Sequence, residues 1–181
     1  MAHINLQNLE PGIRSLVLYR PEIGKYLYDL VAVLLRGKSS LSTAERELIA
    51  AYVSERNNCN FCAKSHSAAA QLLYGEEAHL VADSITDPQK SAISEKMKTL
   101  LNIAGKVQIN GKNVSQSDVE SAKNAGANES EIHDTVLISA TFSMFNRYVD
   151  GLNTLTPTDD ESYKKMGEMM VTNNYSFPKT K

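Results

Sequence analysis

Residues 41–70, LSTAERELIAAYVSERNNCNFCAKSHSAAA, carry the pattern that decides the fold. Ser42-Thr43-Ala44-Glu45 has the form of a capping box, with a hydroxyl for an amide one turn on and a carboxylate for the serine's own amide. The box opens a helix predicted to run to about Glu55. Arg56, Asn57 and Asn58 interrupt it, and either asparagine is suited to cap the next helix. That second helix is expected over 59–74, with Gly75 as its stop. No strand-like alternation intervenes, so the middle of the chain reads as a pair of helices.

The same punctuation continues in both directions. Upstream, a short helix is expected over 12–19 and a longer one from Pro21 to about Arg36, stopped by Gly37. Downstream, the expected helices cover 76–82, 88 or 89 to about 106, 115 to Gly126 (opened by Ser115 with Asp118), 129–148 or beyond (capped by Asn128 with Glu131), and 159–170. Residues 172–181 read as a frayed end or an arm for another subunit. A capped helix, a break and a second helix occur around both 42–74 and 115–150, a soft internal echo. The fold class is all-α. A single domain over 1–181 is expected, with its core at about 12–152 and a tail at 153–181 suited to packing on a neighbouring subunit.

Composition narrows the function. The chain has 181 residues, 42% of them hydrophobic, and a formal net charge of −2. No basic run is long enough for a nucleic-acid or anionic-lipid footprint. The longest apolar run, residues 30–35, is far short of a membrane span. The start, MAHINLQNLEPG, lacks the cationic and apolar regions of a signal peptide, so a cytoplasmic protein is expected.

The chain has two cysteines, Cys59 and Cys62, three residues apart. A disulfide between them would close almost no loop and so add little stability, and in a reducing compartment such spacing points to redox chemistry or metal binding. At about 100° per residue, Cys59, Cys62 and His66 fall within about 60° on one helix face. Cys62 and His66 are one turn apart, the spacing at which an imidazole can take a thiol proton. Cys59 is expected in the first helical turn, where free amides and the dipole favour an anion. Ala69 and Leu73 continue the stripe, so the face points inward. Glu47 falls between Ala44, Leu48 and Ala51 on the apolar side of its helix, where a carboxylate is costly unless paired. It could orient His66 and relay its proton, or simply hold an arginine across a helix interface.

Rival readings of the same residues remain. The cysteines could be two small buried hydrophobes. With His66 and Glu47 they could also form a four-ligand zinc site. His3, His79 and His133 read as structural, Arg147 as a partner for an acid across an interface, and Tyr52 as core. Met166, Met169 and Met170 share a helix face suited to packing against a neighbouring subunit. No phosphate loop, nucleophile elbow or dinucleotide fingerprint occurs.

The pattern Glu47-x11-Cys59-x2-Cys62-x3-His66 resembles the signature of the AhpD-like alkylhydroperoxidases within the carboxymuconolactone decarboxylase superfamily. RPEI at 20–23 and FNRYVDGL at 145–152 resemble its peroxidase-related branch. The resemblance implies an all-α AhpD-like fold and a homo-oligomer, as dimer, trimer or hexamer. It also implies a thiol-dependent peroxidase in which Cys62 attacks, Cys59 resolves, His66 is the base and Glu47 completes the relay. The implied partners are a small hydroperoxide and a dithiol donor, either a reductant protein or a lipoyl-type group; no organic cofactor, resident metal, nucleic acid or membrane is implied. One position departs: the characterised alkylhydroperoxidase has a histidine immediately before the second cysteine, and here that residue is Phe61. Two alternatives carry over, a lactone decarboxylase, whose members do not use a CxxC dithiol, and a non-catalytic thiol sensor or oligomeric binding protein.

Overall fold

A computed structural model describes residues 2–178. Among them the chain forms nine α-helices and no strand: α1 (Ile13–Tyr19), α2 (Pro21–Arg36), α3 (Thr43–Arg56), α4 (Asn60–Tyr74), α5 (His79–Thr86), α6 (Glu95–Ile109), α7 (Gln116–Asn124), α8 (Glu129–Gly151) and α9 (Asp160–Thr172). None is long and apolar enough to cross a membrane.

Helix α3 is the centre. Every residue from Ala44 to Ser54 is buried, apart from the capping Glu45, so it has almost no solvated side, as expected of a helix surrounded by others. It packs on α4, α8, α6, α2 and α5. Leu48, Ile49 and Val53 are fully buried there, each contributing about 2 kcal/mol. Its start is the predicted box: Glu45 N donates to Ser42 Oγ at 3.1 Å and Ser42 N to Glu45 Oε2 at 2.7 Å. One turn in, buried Arg46 donates to the Leu34 and Gly37 carbonyls at 3.0 and 2.9 Å. It thereby satisfies groups at the end of α2 that would otherwise lack partners.

Helix α4 is sandwiched between α3 and α9. The crossing with α9 is made at Gly167, where an added Cβ would lie 2.8 Å from the Ala68 carbonyl carbon, so only glycine allows the two backbones so close. The tail expected to fray or to reach another subunit therefore docks, through α9 and on to Phe177, on its own chain; residues 179–181 lie outside the described residues.

Three local expectations are corrected. Neither Asn57 nor Asn58 caps α4; its N-cap is Cys59, with no side-chain oxygen bonded to the first turn. Asn57 is instead tied to Asn146 and Gln108, both at 2.8 Å, and Asn58 takes φ 58° to turn the chain. The helix expected from Pro88 starts at Glu95, because residues 88–94 form turns and Ser94 caps through its hydroxyl. The helix expected over 76–82 is a 3-10 turn, Gly75–Glu77, followed by α5.

Candidate active site

The break between α3 and α4 sets the position of the cysteines. Asn58 N donates to Glu55 O at 2.8 Å and Cys59 N to Ser54 O at 3.0 Å, which closes α3 and turns Cys59 inward. Cys59 is fully buried and Cys62 nearly so, in a small apolar layer with Leu6, Leu16, Phe61, Val149 and Tyr163. Both are free thiols, their sulfurs 2.8 Å apart. Cys59 donates to Cys62, and that hydrogen bond together with burial pushes the Cys59 thiol well above its ordinary range. The expectation that Cys59 is the anion of the first turn is thus reversed. Cys59 precedes the first helical residue and keeps its proton, whereas Cys62 lies within the first turn and on a cavity.

That cavity encloses about 850 Å³ including its open mouth. Cys62, Ser65 and His66 form its floor along α4; Phe142 and Phe145 of α8 and Val31 of α2 form its sides, and Met166, Met169 and Met170 of α9 its far wall. The methionines expected to face a neighbouring subunit thus face the cavity of their own chain. Exposed Met169, Asn173 and Ser176 rim the mouth.

Behind His66 lies Glu47, fully buried in the first half of α3. Its Oε2 is 2.7 Å from His66 Nδ1. Its Oε1 accepts from Arg36 Nη2 at 2.6 Å and from the Tyr175 hydroxyl at 2.5 Å. Burial, the largest influence on this carboxyl, pushes its pKa up; His66, Arg36 and Tyr175 together outweigh burial and hold it below the ordinary glutamate range. The alternatives raised for Glu47, an arginine partner or a histidine partner, are thus both realised. Arg36 supplies the counter-charge, so an ionised Glu47 needs no charge on the imidazole. An Nδ1–H donated to Glu47 leaves Nε2 with a free lone pair. Nε2 has no hydrogen bond among the described residues, and no described side-chain nitrogen is buried without a partner, so Nε2 keeps access to the cavity. Phe142, edge-on to the imidazole at 4.5 Å, limits the ring's rotation.

All four residues singled out from the sequence come together here. Among the described residues no hydrogen bond joins Cys62 to His66; the two share the cavity floor one turn apart. No group of three or more His, Cys, Asp or Glu among the described residues is disposed to hold a metal ion. Phe61 fills space beside Tyr163, their rings 6.4 Å apart. The remaining candidates lie elsewhere: His79 and His133 are exposed, His133 beside Asp134 at 3.2 Å, and Arg147 bonds to Ser143 O on its own helix. Tyr52 is core, under Arg56. Sequence reasoning missed Arg36, which reads as an ordinary cation in a last helical turn, and Tyr175, which lies in the segment read as frayed.

Comparison with known proteins bears on the segment that carries these residues and on the fold. Residues 21–76, which carry Glu47, both cysteines and His66, match the family model of the carboxymuconolactone decarboxylase family. That match covers 56 of the 181 residues, the segment from α2 to the end of α4. Its fold matches an uncharacterized peroxidase-related protein from Silicibacter sp. TM1040, with a TM-score of 0.76 at 24% identity over 85% of this chain and 78% of that one. A second solved structure, an alkylhydroperoxidase AhpD core described as an uncharacterized peroxidase-related protein from Ralstonia eutropha JMP134, matches at 0.75 and 24%, over 87% and 80%. No curated protein matches the chain. Outside the family match, α8 supplies Phe142 and Phe145 to the cavity, α9 supplies its methionine wall, and the residues just beyond α9 supply Tyr175.

Proposed function

We propose that this AhpD-like chain is a thiol-dependent peroxidase that reduces hydroperoxides through a Cys59/Cys62 dithiol–disulfide cycle. The observation that carries the reading is the shared cavity floor: one sulfur and one imidazole reach the same small-molecule space, and a buried carboxylate holds the far side of the imidazole. His66 Nε2 takes the Cys62 proton, directly once substrate is seated or through one water. The Cys62 thiolate attacks the distal oxygen of ROOH; the O–O bond breaks, and the departing alkoxide takes the proton back from His66 as ROH. Cys62 is now a sulfenic acid. Cys59, whose thiol still carries its proton beside it, attacks that sulfur; water leaves and a disulfide forms. An external dithiol, a reductant protein or lipoyl-type group, then exchanges with the disulfide and restores both thiols. Glu47 keeps the imidazole in the tautomer this needs. No organic cofactor enters the cycle. A cytoplasmic, self-associating protein fits this reading, since the donor pool is reducing and α2 carries an exposed apolar stripe of Ile23, Tyr26, Leu30 and Val33.

Two variants test it. Cys62→Ser should abolish peroxide consumption, while Cys59→Ser should consume one equivalent and stop, with a sulfenic acid trapped by dimedone and read by mass spectrometry. Full turnover in both variants would refute the dithiol cycle. Disulfide formation without turnover in the presence of donor would favour a thiol sensor instead.

A further inference from the structure

The residues after α9 add a group to the site that the family match does not contain. At the end of the helix, Asn174 and Tyr175 both take left-handed backbone, φ 47° and 58°. That conformation is uncommon for a bulky residue and persists only where surroundings over-determine it. Here they do. The turn is closed by Ser176 N to Asn173 O at 2.9 Å, the Arg36 guanidinium lies 4.8 Å over the Tyr175 ring, and Phe177 meets Tyr28 edge-on at 5.6 Å. The phenol is thereby driven inward. Its ring lies nearly parallel to His66, 15° between planes and 6.3 Å between centres, and its hydroxyl ends 2.5 Å from Glu47 Oε1 and 3.5 Å from His66 Nδ1.

Glu47 has two oxygens and three donors. Arg36 and Tyr175 both occupy Oε1, which leaves Oε2 to His66. We propose that Tyr175 is a positioning residue: its hydroxyl directs Glu47 and its ring flanks His66, so that the imidazole is held with Nδ1 on the carboxylate and Nε2 toward Cys62's cavity. Burial, and next to it the charge of Glu47, keep the phenol in its protonated, donating form far above neutral pH. The C-terminal segment is then a component of the site rather than a covering. The significance of this for turnover rests on the peroxidase reading; the positioning itself does not.

The test is the titration of His66 followed by NMR in the intact protein, with His3, His79 and His133 as internal controls. Tyr175→Phe keeps the ring, the arginine above it and the segment's packing, and removes only the hydroxyl. With Oε1 short of a donor, more negative charge falls on Oε2 and favours the imidazolium opposite. The His66 midpoint should therefore move up by about half a unit or more relative to wild type. The controls should not move, and kcat for peroxide should fall about tenfold with KM unchanged. A segment that merely packs predicts no change at His66, and that result overturns the proposal. A second arm guards against misfolding. Tyr175→Gly suits the left-handed backbone and leaves a slot for an added ring; phenol should restore the wild-type midpoint and benzene should not. Equal behaviour of the two also overturns it. A moved His66 midpoint in a protein that consumes no peroxide would uphold the positioning and sink the peroxidase reading.

Discussion

Two stretches of this chain are built alike and end differently. Helices α3–α4 and α7–α8 each begin at a serine capping box, Ser42 with Glu45 and Ser115 with Asp118, and each pair is separated by a left-handed residue, Asn58 at φ 58° and Gly126 at φ 95°. The second helices part company. In α8 the start is satisfied by another box, in which Asn128 Oδ1 accepts from Glu131 N at 2.9 Å. In α4 the corresponding position is Cys59, and no side-chain oxygen meets the first turn. Their buried carboxylates differ in the same way. Asp118 sits at its helix start, held well below the ordinary range chiefly by Lys106 and next by Ser115. Glu47 sits further along its helix, with two donors on one oxygen and a histidine on the other. A helix start and a carboxylate that are fully provided for are structural. The pair left open to sulfur and imidazole is where chemistry is expected.

The sharpest way to break this contrast is His66→Ala. If the open pair is the working one, turnover should fall by about a hundredfold or more, the usual weight of a positioned base, in a steady-state peroxide assay; retained turnover would return α3–α4 to the same standing as α7–α8. Next in size is Arg36→Met, which leaves Glu47 buried without its counter-charge. Unfolding in urea should show a loss of about 3 kcal/mol. Its pH dependence carries a sign: Glu47 is depressed on folding, so its contribution is present above the ordinary glutamate value of 4.5 and lost as pH falls through the lower folded one. Glu47→Gln should therefore flatten the acid limb of the stability curve measured below that value. The smallest effect belongs to the closed pair. Asn128→Ala should cost about 1 kcal/mol and leave turnover per folded molecule unchanged.

Much of this arrangement is legible in the amino-acid order alone, for local reasons. Ser42 with Glu45, Ser115 with Asp118 and Asn128 with Glu131 act within one turn, and a one-turn interaction leaves a fixed spacing in the sequence. The shared face of Cys62 and His66 comes from helical geometry, and the apolar setting of Glu47 from its immediate neighbours. The features that escape are set by distant partners. Asn57 is a plausible cap by type, yet Asn146 and Gln108 claim its side chain across 89 and 51 residues. Arg36 reaches Glu47 over 11 residues and Tyr175 over 128, with no periodicity to betray either contact. Pro88 reads as a helix start because proline suits one, but Ser94, further along, has the hydroxyl that caps Met97 N.

Gly167 has a wider meaning than a tight crossing. Because the α4 and α9 backbones touch there with nothing between them, the breadth of the cavity is set at a place that contains none of its reactive groups. A single methyl at that point would act as a shim between α9, which carries the methionine wall, and α4, which carries Cys62 and His66. The width of the cavity is thus governed by a residue that does not itself line it, through the two helices that do.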